Sequence, residues 1–246
     1  MSDPIEATAS SLQALTRQYE VVANNLANSS TAGFKRARTS FAQTLAERMM
    51  LEGPGPQPVS GGLISERSGI DFTPGTFSQT GRALDVAIEG KGFFVIETPE
   101  GPLYTRNGVF RANREGQLVD AQGRTVAGEG GPIILPPQAG ESNIAVGTDG
   151  QVSVGSQQVG RLRLVQFEDL SALRSAGGAC FQAAGGIEPV PAIDSKVCQG
   201  AREESNVSTV EELVSLITIT RLYEANLKTI RTQDERMQSI LQVAMA

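Results

Sequence analysis

Few side chains in this sequence are placed to do chemistry. Asp85, Glu89, Asp120 and Asp149 are carboxylates that could form an acid–base pair able to cleave glycosidic bonds without histidine. Asp120 and Asp149 stand beside glycine turns, where aspartate is common for local hydrogen-bonding reasons. The chain has no histidine, which removes the commonest general base, proton shuttle and zinc ligand. Cys180 and Cys198 are the only cysteines. Without a CxxC they make a poor metal site and read either as free thiols or as one disulfide in an oxidising compartment. A loop of that size would contribute about 3 kcal/mol in the chain-entropy model. No G-x-S-x-G, H-E-x-x-H or G-x-x-x-x-G-K-[ST] motif occurs. The sequence therefore predicts no catalytic, cofactor or metal site, and no small-molecule substrate.

The elements that would position such groups point toward assembly instead. Over 246 residues the formal charge is −6, which argues against nucleic acid or an anionic membrane as the main partner. The longest strongly apolar runs, such as Phe93 to Ile96, are too short to span a bilayer, so no direct membrane insertion is expected. The N-terminus lacks the basic-then-apolar pattern of a cleavable signal, which predicts a cytosolic chain or an export route that does not read one.

Both ends carry apolar stripes stepping by three and four, as in a coiled-coil seam. The first is Ile5, Thr8, Leu12, Leu15, Tyr19, Val22 and Leu26. The second is Leu213, Leu216, Thr220, Tyr223, Leu227, Ile230, Asp234, Met237, Leu241 and Ala244. Asp3, Pro4 and Glu6 form a start signal for the first helix, and Ser208 with Glu211 forms a capping box for the second. After the first helix comes turn chemistry from Asn28 to Gly33, with Gly33 supplying a positive φ. Lys35, Arg36 and Arg38 read as a solvated basic turn. The stretch 34–47 is either extended or a second short helix.

From Gly81 the texture is short strands between glycine turns, indicating an antiparallel sandwich or barrel-like unit. Strands are expected at 85–89, 92–98, 103–106, 109–112, 117–119, 124–127, 132–135, 143–146, 151–154 and 161–167. Residues 168–200 read as loops or an edge hairpin. The expected fold class is α+β: long N- and C-terminal helices pairing as a coiled-coil-like stalk, with a central antiparallel β-domain. The expected domains are 1–46 (helix and Asn-rich turn), 47–80 (Gly/Pro-rich linker), 81–204 (β-domain) and 205–246 (C-terminal helix).

Four blocks in order carry a resemblance. Residues 22–36, VANNLANSSTAGFKR, closely resemble the N-terminal signature of bacterial flagellar basal-body rod proteins, the rod and hook axial family. Residues 84–94, LDVAIEGKGFF, resemble its second block and 104–108, YTRNG, its third. Ser205-Asn206-Val207 with Glu211-Glu212-Leu213 and Arg221-Leu222-Tyr223-Glu224 are similar to its last. The length and the run from Gly128 to Ile133 resemble the proximal more than the distal rod members, with the distal branch as the alternative. The resemblance implies a torque-transmitting structural subunit rather than an enzyme. Its partners would be copies of itself, other rod proteins and the type III export apparatus, in a periplasmic rod reached without a cleavable signal peptide. The assembly interface would be Leu12, Leu15, Tyr19, Val22, Asn24, Asn25, Leu26, Asn28, Leu213, Leu216, Tyr223, Leu227, Ile230, Met237 and Leu241. The two cysteines depart from the family pattern. The rival reading from another class is a β-type carbohydrate- or protein-binding module with a helical oligomerisation stalk.

Overall fold

The computed structural model describes residues 4–40, 67–137, 140, 143–185 and 187–244. Helix α1 (Pro4–Ala27) opens on a proline, whose fixed φ suits the first helical position. Asp3, expected to cap it, lies outside the described residues. Helix α2 (Thr209–Ala244) begins as its sequence predicts. Ser208 Oγ accepts the Glu211 N–H at 3.5 Å and the Ser208 carbonyl accepts the Glu212 N–H at 3.0 Å. Glu211 and Glu212 place negative charge at the positive end of the helix.

The strands follow in chain order. β1 (Ala37–Ser40) and β2 (Arg67–Ile70) pair with each other. Then come β3 (Phe77–Gln79), β4 (Val86–Glu89), β5 (Phe93–Glu97), β6 (Leu103–Thr105), β7 (Arg111–Ala112) and β8 (Leu118–Val119). β9 (Thr125–Gly128), β10 (Gly131–Pro132), β11 (Ile144–Val146), β12 (Gln151–Val154), β13 (Gln157–Arg161) and β14 (Leu164–Gln166) continue the series. A 3₁₀ turn (Leu170–Ala172) leads into β15 (Leu173–Gly177), β16 (Cys180–Ala183), β17 (Val190–Pro191), β18 (Lys196–Gln199) and β19 (Ala201–Glu203).

The largest sheet runs β15-β16-β6-β5-β9-β8-β7, with β10 on β9 and with β14 and β17 branching from β5. β11-β12-β13 form a second sheet, while β18 pairs with β4 and β19 with β3. Strand β5 explains the apolar run from Phe93 to Ile96. Side chains alternate across a strand, so Phe94 and Ile96 enter one core with Val86, Ile88, Phe110 and Val197. Phe93 and Val95 enter another core with Tyr104, Phe167 and Phe181. The sheet margins are blunted: β15 and β13 each sit on a register shift, and β17 carries Pro191, which has no N–H to donate.

The described residues fall into two compact units. One lies within Met1–Ala27, Ala37–Gly69 and Ser208–Ala246, the other within Asn28–Arg36 and Ile70–Val207. The expected α+β fold with a coiled-coil stalk is corrected. Among the described residues there are two helices against nineteen strands, so the protein is mostly β-sheet. No coiled-coil stalk is present among them. Such a stalk needs one apolar seam buried along both helices. The deeply buried helical positions are instead Ala14, Val22 and Asn25 on α1, and Glu212 and Ile219 on α2. Only Val22 of these is on the expected seams, and two are polar. Tyr19, Leu213 and Tyr223 of the expected seams are exposed.

Most expected strands form within a few residues of their predicted places. In 168–200, β15 and β16 make the hairpin at the edge of the large sheet, and β18 is inserted beside β4. The 37–40 stretch is extended. Lys35 corrects the solvated-turn reading, because its side chain is fully buried.

Candidate functional site

Three stretches far apart in sequence meet inside the β-rich unit. The first is the turn after α1. Gly33 has φ +68°, and a Cβ there would lie 2.3 Å from the Asn107 nitrogen. Only glycine allows the turn to press on the Arg106–Asn107 backbone. The Gly33 N–H donates to the Glu203 carbonyl at 2.8 Å, and Phe34 packs with Ala179 and Val207. This closeness carries Lys35 inward. Its Nζ donates to the Thr73 carbonyl at 2.8 Å and to Glu203 Oε1.

Glu203 is the hub. The Gly75 N–H donates to Oε1 at 3.1 Å, and Arg106 Nη1 lies 3.7 Å from Oε2. Arg106 donates to the carbonyls of Ile88 at 3.2 Å and Gly90 at 2.6 Å, and its guanidinium stacks 5.1 Å over the Phe93 ring. Burial pushes the Lys35 and Arg106 pKa values down, while the Glu203 charge opposes both shifts. Asn206 completes the junction. Its Nδ2 donates to the carbonyls of Asp71 at 2.8 Å and Thr73 at 3.0 Å, and its Oδ1 accepts the Arg36 N–H at 2.7 Å.

In the helical unit, Asn25 acts as a substitute strand neighbour. Its Nδ2 donates to the Ala37 carbonyl and its Oδ1 accepts the Ala37 N–H, both at 2.9 Å. Nδ2 also reaches Glu212 Oε1 at 3.4 Å. Helix α2 is apolar on two sides. Leu216 and Ile219 flank the buried side with Glu212, while Val210, Leu213, Val214 and Ile217 line the exposed one. Val210 and Ile219, nine residues apart, are half a turn out of phase at 3.6 residues per turn. Val210 is 71% exposed and Ile217 52%.

The proposed interface residues are thus split. Val22 and Asn25 are buried, and Tyr19, Asn24, Leu213 and Tyr223 are exposed. Leu12, Leu15, Leu26, Asn28, Leu216, Leu227 and Ile230 are half-buried. Met237 and Leu241 lie on α2, but their side chains are outside the described ones. Asn28 shapes the turn: its carbonyl accepts the Thr31 N–H at 3.1 Å, and its Oδ1 accepts the Thr31 hydroxyl at 3.2 Å.

The carboxylates considered for chemistry do local work. Asp120 accepts the backbone N–H groups of Gln122 and Arg124 and the Arg124 Nε–H. Asp149 accepts from Gln151 N at 3.2 Å and Arg161 Nη2 at 2.6 Å, and the Gln151 N–H holds its pKa below the ordinary value. Asp85 pairs with Arg82 at 3.4 Å, and Glu89 stands opposite Lys196 across the β4–β18 ladder. Cys180 and Cys198 are free thiols, the first buried with its pKa raised by burial, the second exposed. Arg124 Nη2 donates to Cys180 Sγ at 2.9 Å. Among the described residues no group of three or more Cys, Asp or Glu side chains could hold a metal ion.

Sequence reasoning quoted Lys35, Arg106 and Asn206 within its blocks, read Lys35 as a solvated turn, gave the other two no role, and missed Glu203, which lies outside those blocks. The signal for the first three was a charged or amide residue inside short blocks that otherwise lack any chemical motif.

In this geometry buried polar residues lock a fold while an apolar face of α2 stays exposed. The family described as "Flagella basal body rod protein" matches residues 5–35. "Flagellar hook protein FlgE/F/G D1 domain" matches 87–154, and "Flagellar basal body rod FlgEFG protein C-terminal" matches 199–243. The chain is 36% identical to the flagellar basal-body rod protein FlgF of Caulobacter vibrioides, covering 93% of this chain and 92% of the relative. It is 35% identical to FlgG of Buchnera aphidicola subsp. Schizaphis graminum, covering 94% and 96%. With FlgG of Bacillus subtilis it shares 30% identity, covering 91% and 92%. The chain belongs to the flagellar basal-body rod protein family.

Proposed function

We propose that this chain is a structural subunit of the flagellar rod, in its proximal part, and that it carries torque by rigid packing and catalyses nothing. The observation that carries the reading is the exposed apolar face of α2 in a member of this family. Val210, Leu213, Val214 and Ile217 stay wet in the single chain. Burying such a side chain is worth about 1.5–3 kcal/mol, so the face gains by meeting other subunits. Those subunits would be copies of this chain and other rod proteins. The half-buried Leu12, Leu15, Leu26, Leu227 and Ile230 would finish their burial in the same step. Delivery to a periplasmic rod through the flagellar type III apparatus belongs to the same proposal.

The test is Ile217→Asp together with Leu227→Asp, each expressed in a strain lacking the chain. Circular dichroism should show the β-rich unit intact, while electron micrographs of basal bodies should lack completed rods and cells should not swim. Normal rods and motility from both variants would sink the reading.

A further inference from the structure

The segment 196–206 contacts several separate parts of the β-rich unit. Strand β18 is the ladder partner of β4 over four residues, from Lys196 opposite Glu89 to Gln199 opposite Val86. Strand β19 is the partner of β3. Between them, the Gly200 N–H donates to the Asp85 carbonyl and the Gly200 carbonyl accepts the Thr80 N–H, both at 2.8 Å. The Val197 N–H donates to Thr148, and Gln199 Nε2 donates to the carbonyls of Ala83 and Ile144. Val197 itself fills the core beside Ile88. Glu203 then closes the charge balance between Lys35 and Arg106.

We infer that the β-rich unit has no folded form until 196–206 docks, so that Glu203 closes the unit and ties its folding to the arrival of this late segment. Three observations support this. Without β18 and β19, strands β4 and β3 lose their ladder partners, although Val86 and Ile88 of β4 are core residues. Without Glu203, the Lys35 ammonium and the Arg106 guanidinium are both buried with no anion between them, which a low-dielectric site does not tolerate. The Lys35–Glu203 pair spans 168 residues, so the closing contact is strongly non-local. Chains are made N-terminus first. The unit therefore folds only when α2, beginning at Thr209, is next to appear. A partial chain that stops before residue 196 cannot present a finished β-rich unit. The inference concerns folding alone and stands whether or not the rod reading holds.

The experiment is refolding of the full chain from urea, read by stopped-flow fluorescence of its tyrosines and by pulse-labelled hydrogen exchange. Amides of 86–105 and of 196–203 should gain protection in one kinetic phase. Glu203→Gln should slow refolding about tenfold or more and change the unfolding rate much less, because the contact belongs to the rate-limiting step. Val197→Ala, a mild change in β18, should show the same partition and decides the matter if Glu203→Gln does not fold. Protection of 86–105 in a clearly earlier phase overturns the inference. So does a pair of variants that speed unfolding and leave refolding unchanged.

Discussion

The junction around Glu203 and the exposed face of α2 lie only a few residues apart in sequence, yet they are finished to opposite degrees. At the junction, the side chains of Lys35 and Glu203 have no solvent exposure. Lys35 Nζ and Glu203 Oε1 are both hydrogen-bonded, while Glu203 Oε2 meets Arg106 only as a 3.7 Å ion pair. On α2, apolar side chains from Val210 to Ile217 face water. The first region stabilises the single chain, because breaking a buried ion pair strands the remaining charge. The second contributes little until another surface covers it. Lys35 and Arg106, which lie in the sequence blocks that resemble the family's, here secure the fold of the single chain.

The comparison can be broken or sharpened by substitution. Glu203→Ala should have the largest effect, destabilising the isolated chain by about 3–5 kcal/mol through two uncompensated buried cations. Urea unfolding measures it, and a loss under 1 kcal/mol would show that the junction is not the lock. Gly33→Ala should cost about 1–3 kcal/mol or more, since its φ of +68° and the 2.3 Å approach to Asn107 both oppose a Cβ. Asn206→Ala removes the bonds to Asp71, Thr73 and Arg36 and should cost about 1–3 kcal/mol in the same assay.

Lys35→Met sharpens the electrostatic side. Burial lowers the Lys35 pKa in the folded chain below its ordinary 10.5, so the unfolded chain binds the extra proton between the two values. The Lys35 contribution to stability therefore rises with pH through that window, and it is constant below the folded value. A plot of stability against pH should rise less steeply there in Lys35→Met than in the natural chain; parallel curves would remove the burial argument. Smallest of all, Val214→Ser on the open face should shift chain stability by no more than about 0.5 kcal/mol. Its effect should appear only in sedimentation of concentrated protein, as weaker association.

The local parts of this fold were legible in the sequence. Ser208 with Glu211 marked the start of α2, and the positive φ of Gly33 followed from the turn chemistry before Phe34. The glycine turns placed most strands, because turn geometry is decided by a few adjacent residues. The charged trio was not legible. Lys35, Arg106 and Glu203 are separated by long stretches, and beside Arg36 and Arg38 a lysine reads as a solvated charge. The helix faces were misread for a related reason. α2 is apolar on two sides near its start, so a single three-four stripe falls between them and follows neither. Buried Asn25 and Glu212 mislead further, since a polar residue on a helix is read outward unless its distant partner is known.

The blunted margins of the sheets have a consequence for how this chain can meet others. Crowded β-rich chains tend to knit edge to edge into amyloid-like ribbons, because open backbone amides recruit one another without regard to sequence. Here a proline and two register shifts spoil those borders. Growth by indiscriminate zippering is discouraged, and neighbours are left to recognise side chains instead.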